Sequence, residues 1–400
     1  MAKKLFEGIR TVEVTGHVTG PVTTQLLADC GAEAIVIETG SRRMGFGGPG
    51  GPGGARGGAA IPQVRPNTSG KISVSINFIN PKGLELARRV IASADVFVEN
   101  MAGGTLARRG LGYEDIRKIK PDIIYLATCM QGQTGPHATH AASGHKLSAL
   151  AGYNHITGWP DREPGWVGTY TDFVAPRYNI MAILGALEYR RRTGKGQFLD
   201  MSQYEPGLQF MAPAILDYVV NKRVANREGN RCSYAAPHNA YRCLGEDRWC
   251  AIAVFTDEEW KKFCKVIGNP KLAKDARFAT LLARKENEEE LDKLVNAWTG
   301  SRTAEDVMSA MQAGGVAAGL VETVQDQVEN DPHLKARQFF WELESPEPKK
   351  YVTSPPPYYR LAIRVRQGPQ LGEGNDYVFK TVLGMTDDEI AGLVKEGVIA

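Results

Sequence analysis

Four short apolar runs partition the first part of this chain in the way a parallel sheet demands. They are Arg10–Val14, Ala34–Ile37 (AIVI), Val96–Val98 and Ile123–Ala127 (IIYLA). Helix-type segments separate them: Val22–Cys30, Tyr113–Ile119, and Pro81–Ser93 with Leu84, Leu86, Ala87, Val90 and Ile91 facing inward. Strand–helix–strand alternation at this spacing predicts an α/β fold with a doubly wound parallel sheet. Ligands of such sheets bind beyond the carboxyl ends of the strands. Two segments fall there: Gly16–Pro21, where Gly16 and Gly20-Pro21 read as a turn, and the loop after Thr128.

Four hundred residues exceed one compact core, so a second domain is expected. The character changes near Asn221, where NKRVANREGNRCSYAAPHN (221–239) is polar and turn-rich. A strand at Trp249–Val254 follows, then helices at Asp257–Val266, Arg284–Trp298 and Ala304–Ala313. SPPPYYRL (354–361) reads as a linker and Thr386–Gly397 as a final helix. A net charge of +3 with dispersed Lys and Arg argues against a nucleic-acid surface. The one basic cluster, Arg190-Arg191-Arg192 with Lys195, reads as a solvated helix end. MAKKLFEGIR lacks the apolar run of a secretory signal, and no stretch of eighteen apolar residues would span a bilayer. A cytoplasmic protein is expected, without membrane or nucleic-acid partners. Its six cysteines form no C-x-x-C pair and read as reduced, mostly packed thiols. His137-x-x-His140 lacks supporting ligands in a Gly/Pro/Ala setting, so no metal is expected.

Several motifs are excluded on mechanism. Gly45, Gly47 and Gly50 satisfy G-x-G-x-x-G, but Pro49, Pro52 and further glycines prevent the helix that must hold a pyrophosphate. GFGGPGGPGGARGG (45–58) therefore reads as a low-complexity loop and a candidate lid. No phosphate loop of the G-x-x-x-x-G-K-[ST] type and no G-x-S-x-G elbow is present.

Asp172 is the strongest candidate for chemistry. It stands in GWVGTYTDFVAPRYN (165–179), where a polar loop gives way to a helix-like stretch, Ile180–Tyr189, apolar on nearly every side and expected to be buried. A carboxylate at the mouth of a buried helix is partly desolvated, which is one route to a nucleophile. Its position alone favours a plain N-cap.

Several ordered segments tip that balance. GPVTTQLLADCGAEAIVIE (20–38), NPKGLELARRVIASADVFVEN (80–100), GTLARRGLGYEDI (104–116), RRTGKGQFLDMS (191–202), AAPHNAYRC (235–243), DPHLKARQFF (331–340) and the closing GPQLGEGNDYVFKTVLGMTDDEIAGLVKEGVI (368–399) resemble the class III coenzyme A transferases. That family also contains formyl-CoA transferase, carnitine CoA-transferase and α-methylacyl-CoA racemase. The resemblance implies a large Rossmann-like domain built from both chain ends, a smaller inserted α+β domain, and an interlocked-ring dimer. On that plan residues 1–205 form the first part of the large domain, 206–232 a linker, and 233–325 the small domain. Residues 326–400 form a return linker and the rest of the large domain. The resemblance makes Asp172 the covalent nucleophile of an acyl-CoA:carboxylate transferase. Arg108 is then the contact to CoA phosphates, and Val18 and Gly20 part of an oxyanion-stabilising loop. CoA thioesters are implied as substrates, with no permanently bound cofactor, and either a homodimer or a heteromer with a homologous chain.

Some positions depart from the family pattern. NREGNRCSYAAPHN replaces the glycine run that shields intermediates in formyl-CoA transferases, and Gly374 occupies a place usually held by His or Asp. Ser143-Gly144-His145-Lys146 resembles the Gly-His-Asp of the racemases, so α-proton exchange by His145 and Asp172 is the rival reading, with Lys146 against it. A non-catalytic subunit of a heteromeric transferase is a further alternative. His17, His145, Tyr170 and Arg177 are candidate substrate-binding residues. Trp159, Trp166 and Tyr153 are candidate lining for an aromatic or dicarboxylic acid, with succinyl-CoA as donor and an aryl-substituted succinate as acceptor.

Overall fold

The computed structural model describes residues 4–39, 69–140, 143–343, 351–353 and 368–399. The glycine-rich 45–58 loop and the 354–361 linker lie outside these residues. Two compact units are present. One comprises residues 1–154, 166–225 and 339–400, and the other residues 155–165 and 226–338.

The first unit carries the sheet that the apolar runs predict, with two strands the periodicity did not mark. Its elements are β1 (Arg10–Val14), α1 (Thr19–Asp29), β2 (Glu33–Glu38), β3 (Ile72–Ser75), α2 (Pro81–Ala92), β4 (Val96–Glu99), α3 (Tyr113–Ile119) and β5 (Ile124–Ala127). Next come α4 (Gly144–Leu150), the helical turn α5 (Tyr153–Ile156), α6 (Tyr170–Thr193), β6 (Gln197–Asp200), α7 (Tyr204–Gln209) and α8 (Ala212–Asn221). All six strands are parallel, in the order β3-β2-β1-β4-β5-β6. The order reverses between β1 and β4, so the crevice at their carboxyl ends is the topological switch point where such sheets bind ligands.

Both sheet faces are covered, which is why the inner strands are near-continuous apolar runs. Val12, Val14, Ile35, Ile37, Phe97 and Tyr125 pack on one side with residues of α2, α3 and the chain end, including Val378, Phe379 and Ile399. Val96, Val98, Ile124 and Leu126 pack on the other with Leu27 of α1 and Ile183 and Ala186 of α6. The outer edge of β3 is sealed by the returning chain. Gly374 N–H donates to Ser73 O at 2.8 Å, and Ser75 N–H donates to Asn375 Oδ1 at 3.0 Å.

Four expectations are corrected here. Gly20-Pro21 is not a turn but part of the first turn of α1, where a proline costs nothing because that N–H has no intrahelical acceptor. The helix after the Asp172 segment begins ten residues earlier than its apolar stretch and runs for 24 residues with Pro176 inside it. Nor is Ile180–Tyr189 buried all round: Ile183 and Ala186 are buried, while Met181 and Leu184 are exposed. Arg190 is also more than a solvated helix end, since its guanidinium sits 2.8 Å from Asp95 and 3.7 Å from Asp122.

The second unit has an antiparallel sheet, β7 (His238–Arg242), β8 (Trp249–Ala253) and β9 (Ala317–Leu320), in that order. Four helices follow or flank it: α9 (Asp257–Val266), α10 (Leu281–Glu286), α11 (Glu288–Thr299) and α12 (Ala304–Ala313). The single helix expected over Arg284–Trp298 is two, broken at Asn287, because buried Arg284 is tied to Ala236 O (2.8 Å), Phe278 O (3.1 Å) and Asp257 (3.0 Å). All six cysteines are unpaired and five are buried. Among the described residues no helix is long and apolar enough to cross a membrane.

Candidate active site

Asp172 lies at the third position of α6, after the N-cap residue Thr169. Its N–H is bonded to Thr169 O at 3.0 Å, and its side chain does not cap the helix. The plain N-cap reading is thereby set aside. Burial leaves Asp172 8 % exposed and raises its carboxyl above the usual range. His145 and His17 oppose that rise electrostatically, as does a hydrogen bond from Thr19. Both histidines are exposed, so a buried carboxylate is fronted by two solvent-reached imidazoles.

The Gly16–Pro21 segment reaches this position through a device that sequence reasoning missed. Asn100, just past the end of β4, accepts from Gly16 N–H at 2.8 Å and donates to Gly16 O at 2.7 Å. This two-bond clamp spans the switch crevice between β1 and β4. The next residue, His17, takes a left-handed backbone with φ of 60°. Val18 is the N-cap of α1, and the N–H groups of Thr19 and Gly20 belong to its first turn, without intrahelical acceptors. Gly20 has to be glycine: an added Cβ would stand 2.6 Å from Thr15 Cγ2 and 3.0 Å from Asn100 Cγ. Beneath the same turn, Lys71 Nζ donates to Glu13 (2.7 Å) and to Pro21 O (2.8 Å), with both charged groups buried.

A second wall comes from α4. Gly144, its first residue, backs directly onto Asp172, so that an added Cβ would lie 2.6 Å from Asp172 Cγ. His145 follows and faces the Trp166 ring with centroids 5.0 Å apart. Trp166 is 76 % exposed. Tyr170 meets Tyr153 edge-on at 5.3 Å and Phe210 at 6.1 Å, and Tyr153 is anchored by a 2.5 Å bond to Gly207 O. Asn179, one turn beyond Pro176, donates to Thr23 Oγ1 and Thr128 Oγ1, both at 2.9 Å, tying α6 to α1 and to the end of β5.

The structure therefore gathers Asp172, His17, Val18, Gly20, His145, Tyr170 and Trp166 in one unit. Arg108 lies in the loop after β4, on the carboxyl side of the sheet, with its guanidinium bonded within that loop to Gly103 O (3.4 Å) and Thr105 Oγ1 (3.3 Å). Arg177 is exposed and bonds Phe173 O at 2.5 Å, one turn back in its own helix. Trp159 belongs to the second unit, where it packs over Gly229. His137 and His140 stack on each other in an exposed loop. Asn100, Thr19 and the Glu13–Lys71 pair carried no signal beyond their place near strand and helix ends, while Gly144 stood only as part of the Ser143-Gly144-His145-Lys146 motif.

A buried carboxylate near the first turn of a helix at a switch point is an arrangement suited to covalent acyl chemistry. Comparison with known proteins places the chain in a family. Residues 6–375 match CoA-transferase family III. Succinyl-CoA--D-citramalate CoA-transferase of Chloroflexus aurantiacus is 34 % identical over 98 % of each chain. Succinyl-CoA:glutarate CoA-transferase of Mus musculus is 29 % identical over 99 % of this chain and 90 % of its own. A crystal structure of a CAIB/BAIF family protein from Brucella suis, 30 % identical, superposes with a TM-score of 0.84 over 95 % of this chain and 100 % of that one. The chain belongs to CoA-transferase family III and is an enzyme of that class.

Proposed function

We propose that this enzyme moves CoA from succinyl-CoA to an acceptor dicarboxylic acid, with Asp172 as the covalent nucleophile. The observation that carries the reading is the placement of a buried carboxylate at the switch point, against the first turn of α1. An Asp172 oxygen attacks the thioester carbonyl and CoA leaves as thiolate, giving a mixed anhydride. The thiolate then attacks the aspartyl carbonyl, releasing the donor acid and forming an aspartyl-CoA thioester. The acceptor carboxylate displaces CoA to give a second anhydride. Attack of the thiolate on the acceptor carbonyl regenerates Asp172 and yields the new acyl-CoA. Each step exchanges activated acyls, which splits one difficult exchange into four easier ones. The N–H groups of Thr19 and Gly20 are the donors we assign to the transient oxyanions. Arg108 is assigned to the CoA phosphates.

Two relatives of distant origin carry succinyl-CoA in their names, each with a different five-carbon dicarboxylic acceptor. This supports succinate as the donor acid. The exposed faces of Trp166 and Tyr170 beside Asp172 support an acceptor with an aryl substituent, of the benzylsuccinate kind. Helix α8 supports a paired assembly: none of its residues is buried, and Leu216, Val219 and Val220 are 61 %, 57 % and 73 % exposed.

The test is peptide mass spectrometry after mixing the protein with succinyl-CoA and hydroxylamine. A hydroxamate on the Asp172 peptide, lost in Asp172→Asn, is expected. An adduct on another residue, or none from a protein that binds the ester, would sink the mechanism. A second reading has one observation in its favour, the approach of His145 to Asp172. Deuterium wash-in at the α-carbon of a 2-methylacyl-CoA, without any adduct, would establish racemisation instead.

A further inference from the structure

Pro176 stands four residues after Asp172 inside α6. A proline has no N–H, so the main-chain carbonyl of Asp172 lacks the donor that an uninterrupted helix would supply. The donor it has instead comes from another element: Thr19 Oγ1, in the first turn of α1, lies 3.4 Å from Asp172 O. Thr19 is 1 % exposed and Asp172 8 %, so water is no ready substitute for either group. The same hydroxyl is within reach of the Asp172 carboxylate, and its single proton serves both oxygens. One turn further along, Thr23 of α1 receives the Asn179 amide of α6, giving a second tie between the two helices.

We infer that Thr19 and Pro176 work as a pair that positions Asp172. The proline strips the nucleophile's carbonyl of its helical partner, and the threonine locks it to the turn whose N–H groups face the reacting acyl group. Thr19 is thus a positioning residue, and Pro176 the reason the chain needs one. The inference rests on Asp172 being the nucleophile.

Single-turnover trapping of the Asp172 hydroxamate from succinyl-CoA and hydroxylamine tests it. The rate is measured in the full-length protein for wild type, Thr19→Val, Thr19→Ser, Pro176→Ala and Thr19→Val/Pro176→Ala, beside succinyl-CoA binding. Thr19→Val is expected to slow trapping about tenfold, with binding within about twofold of wild type, and Thr19→Ser to recover most of the rate. In the Pro176→Ala background the restored amide takes the carbonyl, so Thr19→Val should cost less than about threefold. Thr19→Cys, a weak donor of similar size, gives the same comparison if Thr19→Val does not fold. Equal costs in both backgrounds, or trapping at the wild-type rate in Thr19→Val, would overturn the pairing while leaving Asp172 as nucleophile. Absence of the Asp172 adduct in wild type would overturn the nucleophile itself, and the pairing with it.

Discussion

Replacing Gly144 by alanine puts one methyl group between α4 and Asp172, the proposed nucleophile. The new Cβ would lie 2.6 Å from Asp172 Cγ and 2.7 Å from Thr169 Cβ. Carbon atoms in contact settle at about 3.5–4.0 Å, so something must move by roughly 1 Å. Two elements must give, the Asp172 side chain and the backbone at Thr169 that leads into α6, and both shifts carry the carboxylate away from α4. A displacement of this size at a reacting atom costs about 100-fold in rate, equivalent to ~2.7 kcal/mol. The cost to folding is smaller. Overpacking of about 1–3 kcal/mol is offset by ~1 kcal/mol from alanine's better helix propensity. Gly144→Ala should therefore unfold within a few degrees of wild type and still bind succinyl-CoA, yet form the Asp172 hydroxamate about 100-fold more slowly. Gly185→Ala is the control, since an added Cβ there meets nothing within 4 Å. Trapping by Gly144→Ala within about twofold of wild type would refute the placement of the reacting carboxylate against α4.

Two further predictions concern protons. Burial raises the Asp172 carboxyl, and His145 and His17 hold it down. In the proposed mechanism the carboxylate form attacks, so activity falls as pH drops and Asp172 takes up its proton. His145→Asn or His17→Asn should move the acid limb of the trapping rate to higher pH, and an unmoved limb in both would show that neither imidazole acts on it. Asp29, with a buried Oδ1 that has no partner, is pushed up to about 7 by burial, against the pull of Lys71. Unfolded, it would ionise near the ordinary value of 3.8. Its cost to stability is therefore absent below that value, grows as pH rises toward 7, and is complete above it. Asp29→Asn should stabilise the protein at pH 8 relative to pH 4, with a ceiling on the order of 4 kcal/mol. Urea denaturation at the two pH values measures it, and an equal effect at both would refute the assignment.

The core strands and amphipathic helices were legible because burial on both faces writes itself as unbroken apolar sequence. Arg10–Val14, Tyr113–Ile119 and Asp257–Val266 begin and end where their patterns say. Strands β3 and β6 escaped notice. ISVS alternates with serine, and QFLD is an edge strand with half-exposed residues, so neither shows the run that marks the inner strands. The start of α6 was misplaced because Pro176 and the polar TYTD segment imitate a loop, whereas the helix tolerates both through contacts from α1. Asp172 was singled out from its local setting together with family resemblance. Its supporting residues Asn100 and Thr19 could not be, since they acquire meaning only when β1, β4 and α1 converge, and Gly144 was marked by its motif but not by its approach to Asp172. Arg177, singled out as a candidate substrate ligand from its place beside the motif, bonds Phe173 O one turn back in its own helix.

The seal on the β3 edge bears on how the protein is made. Ser75 and Asn375, joined by a hydrogen bond, are 300 positions apart. At ribosomal rates of roughly 5–20 residues per second, that interval is about 15–60 s of synthesis. Throughout it the nascent sheet presents an uncovered strand, the kind of edge that recruits other chains. The second unit, whose main segment is 226–338, is complete before residues 372–375 emerge, so the first unit to begin is the last to close. Truncation just ahead of Gly372 would remove that seal together with Val378, Phe379 and Ile399, so an open edge and an incomplete core would come from one cut.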